Sequence, residues 1–367
     1  MFTEKQFCEQ MRGETLDGYL ERGWYRMGQA VFTCHFLFFD DNLYSPVWVR
    51  LPLRNYRFRK SLRRLQEKVL REFTVSFRPA VIDEEKEALF QVYRDNFNGR
   101  LSPTLKVSLQ DNEDINVFDT WELTVHKDGK LVAYSFFDLG KQCLASIKGV
   151  FDPEFSSYSL GLFTMLQEIQ FGLDHGYEYF YPGYVVPGYS RFDYKLRIGS
   201  PEEVEFYELK SGDWLAYTNF SEGLLPIKML TQKLFAAAKA LQSQKIASQM
   251  LFYPAYEAGI FGYTDERFLE SPLFLHLFSN VFPRPRFIIY YDIWKEAYVF
   301  THCMPLEDLG FYFEYSMQFD TQEARHFLDF ILEKTKIVES PDPEVLVSYA
   351  LQIASYVKPS DFRGFMK

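Results

Sequence analysis

The chain has 367 residues, 47% of them hydrophobic and 25% charged, a balance that excludes a disordered or fibrous protein. Its length fits two or three domains. Its net charge of −10 argues at first sight against a nucleic-acid partner. The 38 Phe, 25 Tyr and 5 Trp supply bulk for a sizeable core and for a pocket around a large ligand.

The four cysteines, Cys8, Cys34, Cys143 and Cys303, are scattered and form no CxxC pair. A disulfide framework or zinc ribbon is therefore not expected, and a reducing cytoplasm is the natural setting. The start, MFTEKQFCEQMRGETLDGYLERG, lacks the apolar stretch of a signal peptide. No apolar run approaches the roughly 18 residues of a membrane span. A soluble intracellular protein with no membrane partner is expected.

Charge is unevenly spread. Residues 50–78 hold ten basic side chains, among them Arg50, Arg54, Arg63 and Arg64, against the acids Glu67 and Glu72. Screening confines fields to about 8 Å at physiological salt, so a local basic stripe on an acidic protein still neutralises phosphates. A plain solvated amphipathic helix is the competing reading of the same stripe.

Three regions follow in chain order. Residues 1–80 open with a short helix. Two apolar runs, 31–39 and 47–53, flank the turn Asp40-Asp41-Asn42 and read as a hairpin or neighbouring strands, before a basic helix over 57–72. Residues 81–222 are the most regular. A helix over 82–96 opens with acids and places Leu89, Val92 and Tyr93 on one face. Strands at 121–126 and 131–138 enclose the turn Lys127-Asp128-Gly129. A third strand at 145–151, a helix over 162–175 closed by Gly176, and a strand at 177–181 complete the region. This β-β-β-α-β order is that of a GNAT-type acyltransferase core, whose strand-to-helix loop presents N–H groups to an anionic or acyl donor. Residues 223–367 read as a long helix over 225–250, strands at 286–291 and 297–302, and helices near 321–334 and 343–357. A break precedes the last helix at residues 339–343.

Four ordered blocks carry a family resemblance. They are GYLERGWYRMG (18–28), VWVRLPLRNYRFRKSLRR (47–64), FDPEFSSYSLGLFTMLQEI (151–169) and GYEYFYPGYVVPGYSRFDYKL (176–196), followed by Pro201-Glu202 and Trp214. Together they resemble the arginyl-tRNA–protein transferases and their bacterial leucyl-transferring relatives, over residues 15 to 215. The resemblance implies transfer of an amino acid, arginine first, from charged tRNA to the N-terminal amine of proteins beginning with Asp or Glu. Aminoacyl-tRNA would be the co-substrate, with no cofactor. Family members commonly hold a metal or iron–sulfur site on paired cysteines. Here Ser45-Pro46 stands at one of those places and Cys34 is alone, so no cluster is expected. The family's His-containing segment is replaced by residues 96–100, Asn-Phe-Asn-Gly-Arg.

Within these blocks the chemistry falls to few residues. Ser157 or Ser159 is expected to cap the long helix, and N–H groups at Ser159, Leu160 and Gly161 to hold the donor's phosphate or developing oxyanion. Gly183 and Tyr184 follow an aromatic strand, where Tyr184 and Tyr189 are placed to stack on a terminal adenosine. Aminolysis of an activated ester needs one acid–base group, and Asp193 or Tyr194 is the candidate, with Lys195 suited to a phosphate or carboxylate. Arg26, Arg50 and Arg54, with Arg63 and Arg64, are candidates for reading an acidic side chain or the tRNA backbone. Glu168 could face a cationic donor side chain, although helical glutamates are mostly solvated.

Six histidines stand singly, without metal-ligand spacing. No GxGxxG, P-loop or GxSxG string occurs, so nucleotide-triphosphate, dinucleotide and α/β-hydrolase chemistry lack support. The sequence thus predicts an α+β protein: a GNAT-like core, an N-terminal β-rich module and a C-terminal α/β extension. Two alternatives remain at this level: an acyl-CoA-dependent N-acyltransferase, and a catalytically silent binding protein of the same fold.

Overall fold

Asp128 and Gly129 both hold positive φ, +50° and +82°, the geometry of a type I′ turn, and Lys127 pairs with Lys130 across them. The D-G signal thus fixes the central hairpin. In this computed structural model, which describes residues 2–39, 42–97, 99, 101–278, 286–306 and 331–356, that hairpin sits inside an eight-stranded sheet. Its strands in chain order are β1 (Val47–Pro52), β2 (Thr74–Pro79), β3 (Thr120–Lys127), β4 (Lys130–Leu139), β5 (Cys143–Phe151), β6 (Tyr179–Val185), β7 (Glu205–Glu208) and β8 (Asp213–Ala216). The spatial order is β8-β7-β1-β6-β5-β4-β3-β2. Only β5 and β6 run parallel, joined through helix α3 (Leu160–His175); the other neighbours are antiparallel. This is the GNAT-like α+β arrangement.

Two further helices belong to the same unit, α1 (Lys60–Leu70) and α2 (Glu84–Asp95). The Asp83 side chain caps α2 by accepting from the Lys86 N–H, and Glu84, Glu85 and Glu87 complement its first turn. Helix α3 ends where Gly176 takes a φ of +74°. Nearly every residue from Leu160 to Ile169 is buried, so α3 is apolar on all sides and runs through the core. Phe163 on α3 and Phe137 and Phe180 in the sheet are wholly buried, and Phe136 is buried on the other face of the sheet with Leu89 and Phe90 of α2, each worth about 2–3 kcal/mol of burial.

Contacts divide the chain into two units, one of Lys5–Thr33 with Pro46–Phe220, the other of Met1–Glu4, Cys34–Ser45 and Ser221–Lys367. The N-terminal β-rich material and the basic helix therefore fall largely within the same unit as the transferase-like core. The second unit holds a five-stranded antiparallel sheet, β9 (Ser248–Phe252), β10 (Leu273–Leu277), β11 (Arg286–Asp292), β12 (Ala297–Leu306) and β13 (Ile331–Ser340), ordered as in the chain. Helices α4 (Pro226–Ser243) and α5 (Pro343–Ser355) accompany it. No described helix is long and apolar enough to cross a membrane.

Several expectations need correction. The runs at 31–39 and 47–53 do not pair with each other: Ala30–Cys34 pairs with Tyr25–Met27, and β1 lies between β6 and β7. On α2, Phe90 joins Leu89 in the core while Val92 is 45% exposed, because the helix presents a neighbouring face to the sheet. The long helix stops at Ser243 and the chain returns as β9, whose apolar residues also fit a helical period. Residues 331–334 are strand, and the rest of the helix expected near 321–334 lies outside the described residues.

Candidate functional site

Strands β5 and β6 pair only where Cys143, Leu144 and Ala145 face Tyr179, Phe180 and Tyr181. Beyond that point they diverge, as β5 shifts register against β4 between Ser146 and Lys148, and β6 shifts against β1 between Phe180 and Gly183. The Tyr25 phenol lies at the divergence, beside the carbonyl oxygen of Ser146, and donates to that of Tyr181 at 2.8 Å. Its ring stacks on Trp48 with centroids 5.5 Å apart. A cleft of about 640 Å³ opens from this wedge toward the N-terminal end of α3.

The cleft walls join two chemistries. Phe32, Phe97, Leu101, Phe151, Leu160, Leu162 and Met165 are apolar, whereas Lys148, Arg191, Lys195 and Arg197 are cationic; Arg26 is also in the lining, with its guanidinium paired to Asp138. No Asp or Glu is among the described residues that line it. Ser159 enters α3 at φ +53° and its side chain makes no capping hydrogen bond. Leu160 and Gly161 are the first residues of α3, where N–H groups have no partner within the helix, and both line the cleft. Ser156 lines it as well; Ser157 does not, which corrects the expectation that Ser157 faces the donor.

Gly183 takes φ +96°, and a Cβ there would stand 3.0 Å from the Lys195 Nζ, so glycine lets the lysine approach the strand. Lys195 Nζ donates to the Tyr184 carbonyl at 3.1 Å and lies over the rings of Tyr184 and Phe192. Burial pulls its pKa down to about 8. Lys148, on the bulged part of β5, is likewise pulled down to about 8 by burial, and its Nζ sits 5.1 Å from the centre of the Phe90 ring. Tyr194 lines the cleft; 39% of its surface is open, yet the protein around its hydroxyl pushes it up to about 12. Asp193 is exposed and is not part of the lining. Tyr184 lines the cleft, and Tyr189 stands outside, against Phe192.

Two arginines expected to read ligands are committed elsewhere. Arg26 is buried with Asp138, its Nη1 2.8 Å from Oδ1, and also donates to Thr120 Oγ1 and the Gly28 carbonyl, both at 2.8 Å. Burial pushes Asp138 up from its ordinary value and the guanidinium pulls it back. Arg50 Nε sits 2.7 Å from a Glu205 oxygen, and its plane covers Tyr179 and Trp214. These contacts consume both planar forks. Arg54 and Arg63 remain exposed and line a separate cleft, and Arg64 is exposed on α1.

Sequence reasoning missed Tyr25, Lys148, Arg191 and Arg197 as lining residues. It also misjudged Glu168, which is fully buried in α3 with both carboxylate oxygens unpartnered, beside the hydroxyls of Ser135 and Ser146. Burial pushes it up to about 8. The signal was present: an α3 sequence apolar on every face leaves no solvent side for a glutamate. Among the described residues no His, Cys, Asp or Glu cluster gathers to hold a metal.

Residues 85–204 match the family described as arginine-tRNA-protein transferase, C terminus. That segment is similar to this family. It spans α2, β3 to β6 and the whole N-terminal half of α3, so the cleft is built largely within the matched transferase region. Curated relatives match over longer stretches. The aspartate/glutamate leucyltransferase of Leptospira interrogans is 24% identical over 221 residues, covering 59% of this chain and 84% of its own. That of Helicobacter hepaticus is 27% identical over 197 residues, covering 51% and 77%. Among solved structures, a GCN5-related N-acetyltransferase from Anabaena variabilis aligns at a TM-score of 0.30 and 9% identity over 89% of this chain and 72% of that one, a likeness too slight to weigh. The transferase match accords with the resemblance read from the four sequence blocks.

Proposed function

We propose that this transferase moves an apolar aminoacyl group, leucine foremost, from charged tRNA to the N-terminal amine of a protein beginning with Asp or Glu. The observation that carries the reading is a cleft at the β5–β6 divergence that is cationic and apolar at once, with no carboxylate among its described lining residues. Four cations suit a phosphate-bearing donor and an acidic acceptor side chain. The apolar wall suits an aliphatic donor side chain. An arginyl donor would bring a guanidinium among cations with no described partner, and Glu168 beneath is held largely neutral at pH 7 by its raised pKa. The names of the curated relatives support leucine in the same sense.

In the reaction the neutral α-amine attacks the ester carbonyl. The C–N bond forms, the bond to the ribose oxygen breaks, and the proton lost by nitrogen ends on the departing ribose hydroxyl. Lys195, its pKa lowered to about 8, serves to carry that proton, and Tyr194 is the second group in reach of the cleft. The N–H groups of Leu160 and Gly161 serve the carbonyl oxygen as it gains charge. Asp193 has no part in this scheme, since it is outside the lining.

The test is transfer of label from leucyl- and arginyl-tRNA to peptides starting with Asp, Glu or Ala, with acetyl-CoA as rival donor. Label from leucyl-tRNA on Asp and Glu peptides alone is the expected result. Donation only by acetyl-CoA would overturn the reading in favour of an ordinary acyltransferase, and no transfer from any donor in favour of a silent binding protein.

A further inference from the structure

A second cleft of about 800 Å³ lies at the other end of α3, lined by Arg54, Arg57 and Arg63 together with Tyr56, Phe58 and Tyr177. The three arginines are exposed, and none forms an ion pair with a described residue. An exposed guanidinium cluster short of counter-charge repels itself unless an anion joins it. Among the described lining residues, Glu178 is the one acid.

Hydrogen bonds tie the walls of the two clefts together. Arg59 donates through Nη2 to the Arg197 carbonyl at 2.7 Å, and Arg197 lines the first cleft. The Tyr56 hydroxyl, in the second cleft, donates to the Ile198 carbonyl next in the chain. Arg191, Lys195 and Arg197 on one side and Arg54, Arg57 and Arg63 on the other thus flank a shared stretch of surface, with Arg59 between them. Gly161, in the first turn of α3, and Gly176, which follows its last residue, lie about 22 Å apart at a rise of ~1.5 Å per residue.

We infer that the surface is a single track for an extended RNA strand: the 3′ end enters the first cleft while phosphates farther along the acceptor arm rest on Arg54, Arg57 and Arg63. It rests on the transfer reading for naming a tRNA as the polyanion. Phe58 and Tyr177, half-buried beside the arginines, offer flat faces on which bases stack, which favours RNA over a carboxylate-rich peptide. The track also explains how a chain of net charge −10 binds RNA: the basic face is local, and screening hides the remainder.

The experiment measures binding of uncharged tRNA between 50 and 300 mM salt, with wild type, the triple variant Arg54→Glu/Arg57→Glu/Arg63→Glu, its Arg→Gln counterpart, and Lys239→Glu as an exposed control on α4. Each neutralised phosphate contributes about 0.7–0.9 to the slope of log K against log salt. The slope should become shallower by about 2 to 3 in both triple variants, with affinity down at least 10-fold, while the control matches wild type. Unchanged slopes overturn the inference, and so does a triple variant that loses an Asp-starting peptide instead of tRNA. Circular dichroism on the Gln variant separates lost binding from lost fold. Binding needs no turnover, so a protein that transferred nothing would still reveal the track.

Discussion

The two ends of α3 use positive charge differently. At its N-terminal end Lys148 and Lys195 are partly buried among aromatic rings, and burial draws both toward neutrality. At its C-terminal end Arg54, Arg57 and Arg63 stand in water, where guanidinium keeps its charge. A lysine that has lost part of its preference for the proton can pass one along. An arginine that keeps its charge can hold a phosphate and nothing more. The same charge sign therefore serves chemistry at one end and grip at the other, and burial is what separates them.

The largest effect should come from a cation that is already paired inside the protein. Arg26→Ala leaves Asp138 buried without its partner, and should cost about 3–5 kcal/mol in urea unfolding. A loss under about 1 kcal/mol would show that the pair is dispensable and return Arg26 to the list of ligand readers. Next in size, Lys195→Met should lower kcat/KM for transfer roughly 10²–10³-fold with little change in unfolding free energy. Lys195→Arg should fail to restore it, since arginine stays protonated; full rescue by arginine would mean that charge, not proton transfer, is what the position supplies.

Glu168→Gln probes the buried side of the comparison through pH. The folded-state pKa of Glu168, about 8, lies above its unfolded value near 4.5. Between those values the unfolded chain ionises first, so wild type loses stability as pH rises from about 4.5 to 8. Lys148 and Lys195, depressed to about 8, act in the opposite sense only above that pH. The glutamine variant should therefore gain on the order of 2–4 kcal/mol relative to wild type at pH 8 and little at pH 4.5. A pH-independent difference would contradict the burial assignment. Smallest of all, Asp193→Ala should change transfer less than about twofold and stability within about 0.5 kcal/mol; a large loss would bring Asp193 back into the mechanism.

Much of this was legible in the residues. The alternation around Asp128-Gly129 and the acid-led start of α2 fixed the β-β-β-α-β order because local turn and helix-start chemistry needs no partner elsewhere in the chain. That Leu160, Gly161, Gly183, Tyr184 and Lys195 gather in one cleft was likewise readable, since those residues flank one strand–helix–strand unit. What failed depended on distant partners. Nothing near Arg26 in sequence announces Asp138, and nothing near Arg50 announces Glu205. Residues 31–39 and 47–53 look like a hairpin because both are apolar and close, yet each pairs with a strand from elsewhere. Residues 248–252 extend a helical pattern until their partner, β10, is known.

The most direct test of the account is a competition between donors for the wild-type protein. Leucyl- and arginyl-tRNA would be supplied together at equal concentration with an Asp-starting peptide, and the product read by mass. A cationic, carboxylate-free cleft predicts leucine on the peptide in excess of arginine by roughly 100-fold or more. Equal incorporation, or arginine in excess, would contradict it and place an anionic partner for the guanidinium where the described lining of the cleft has none.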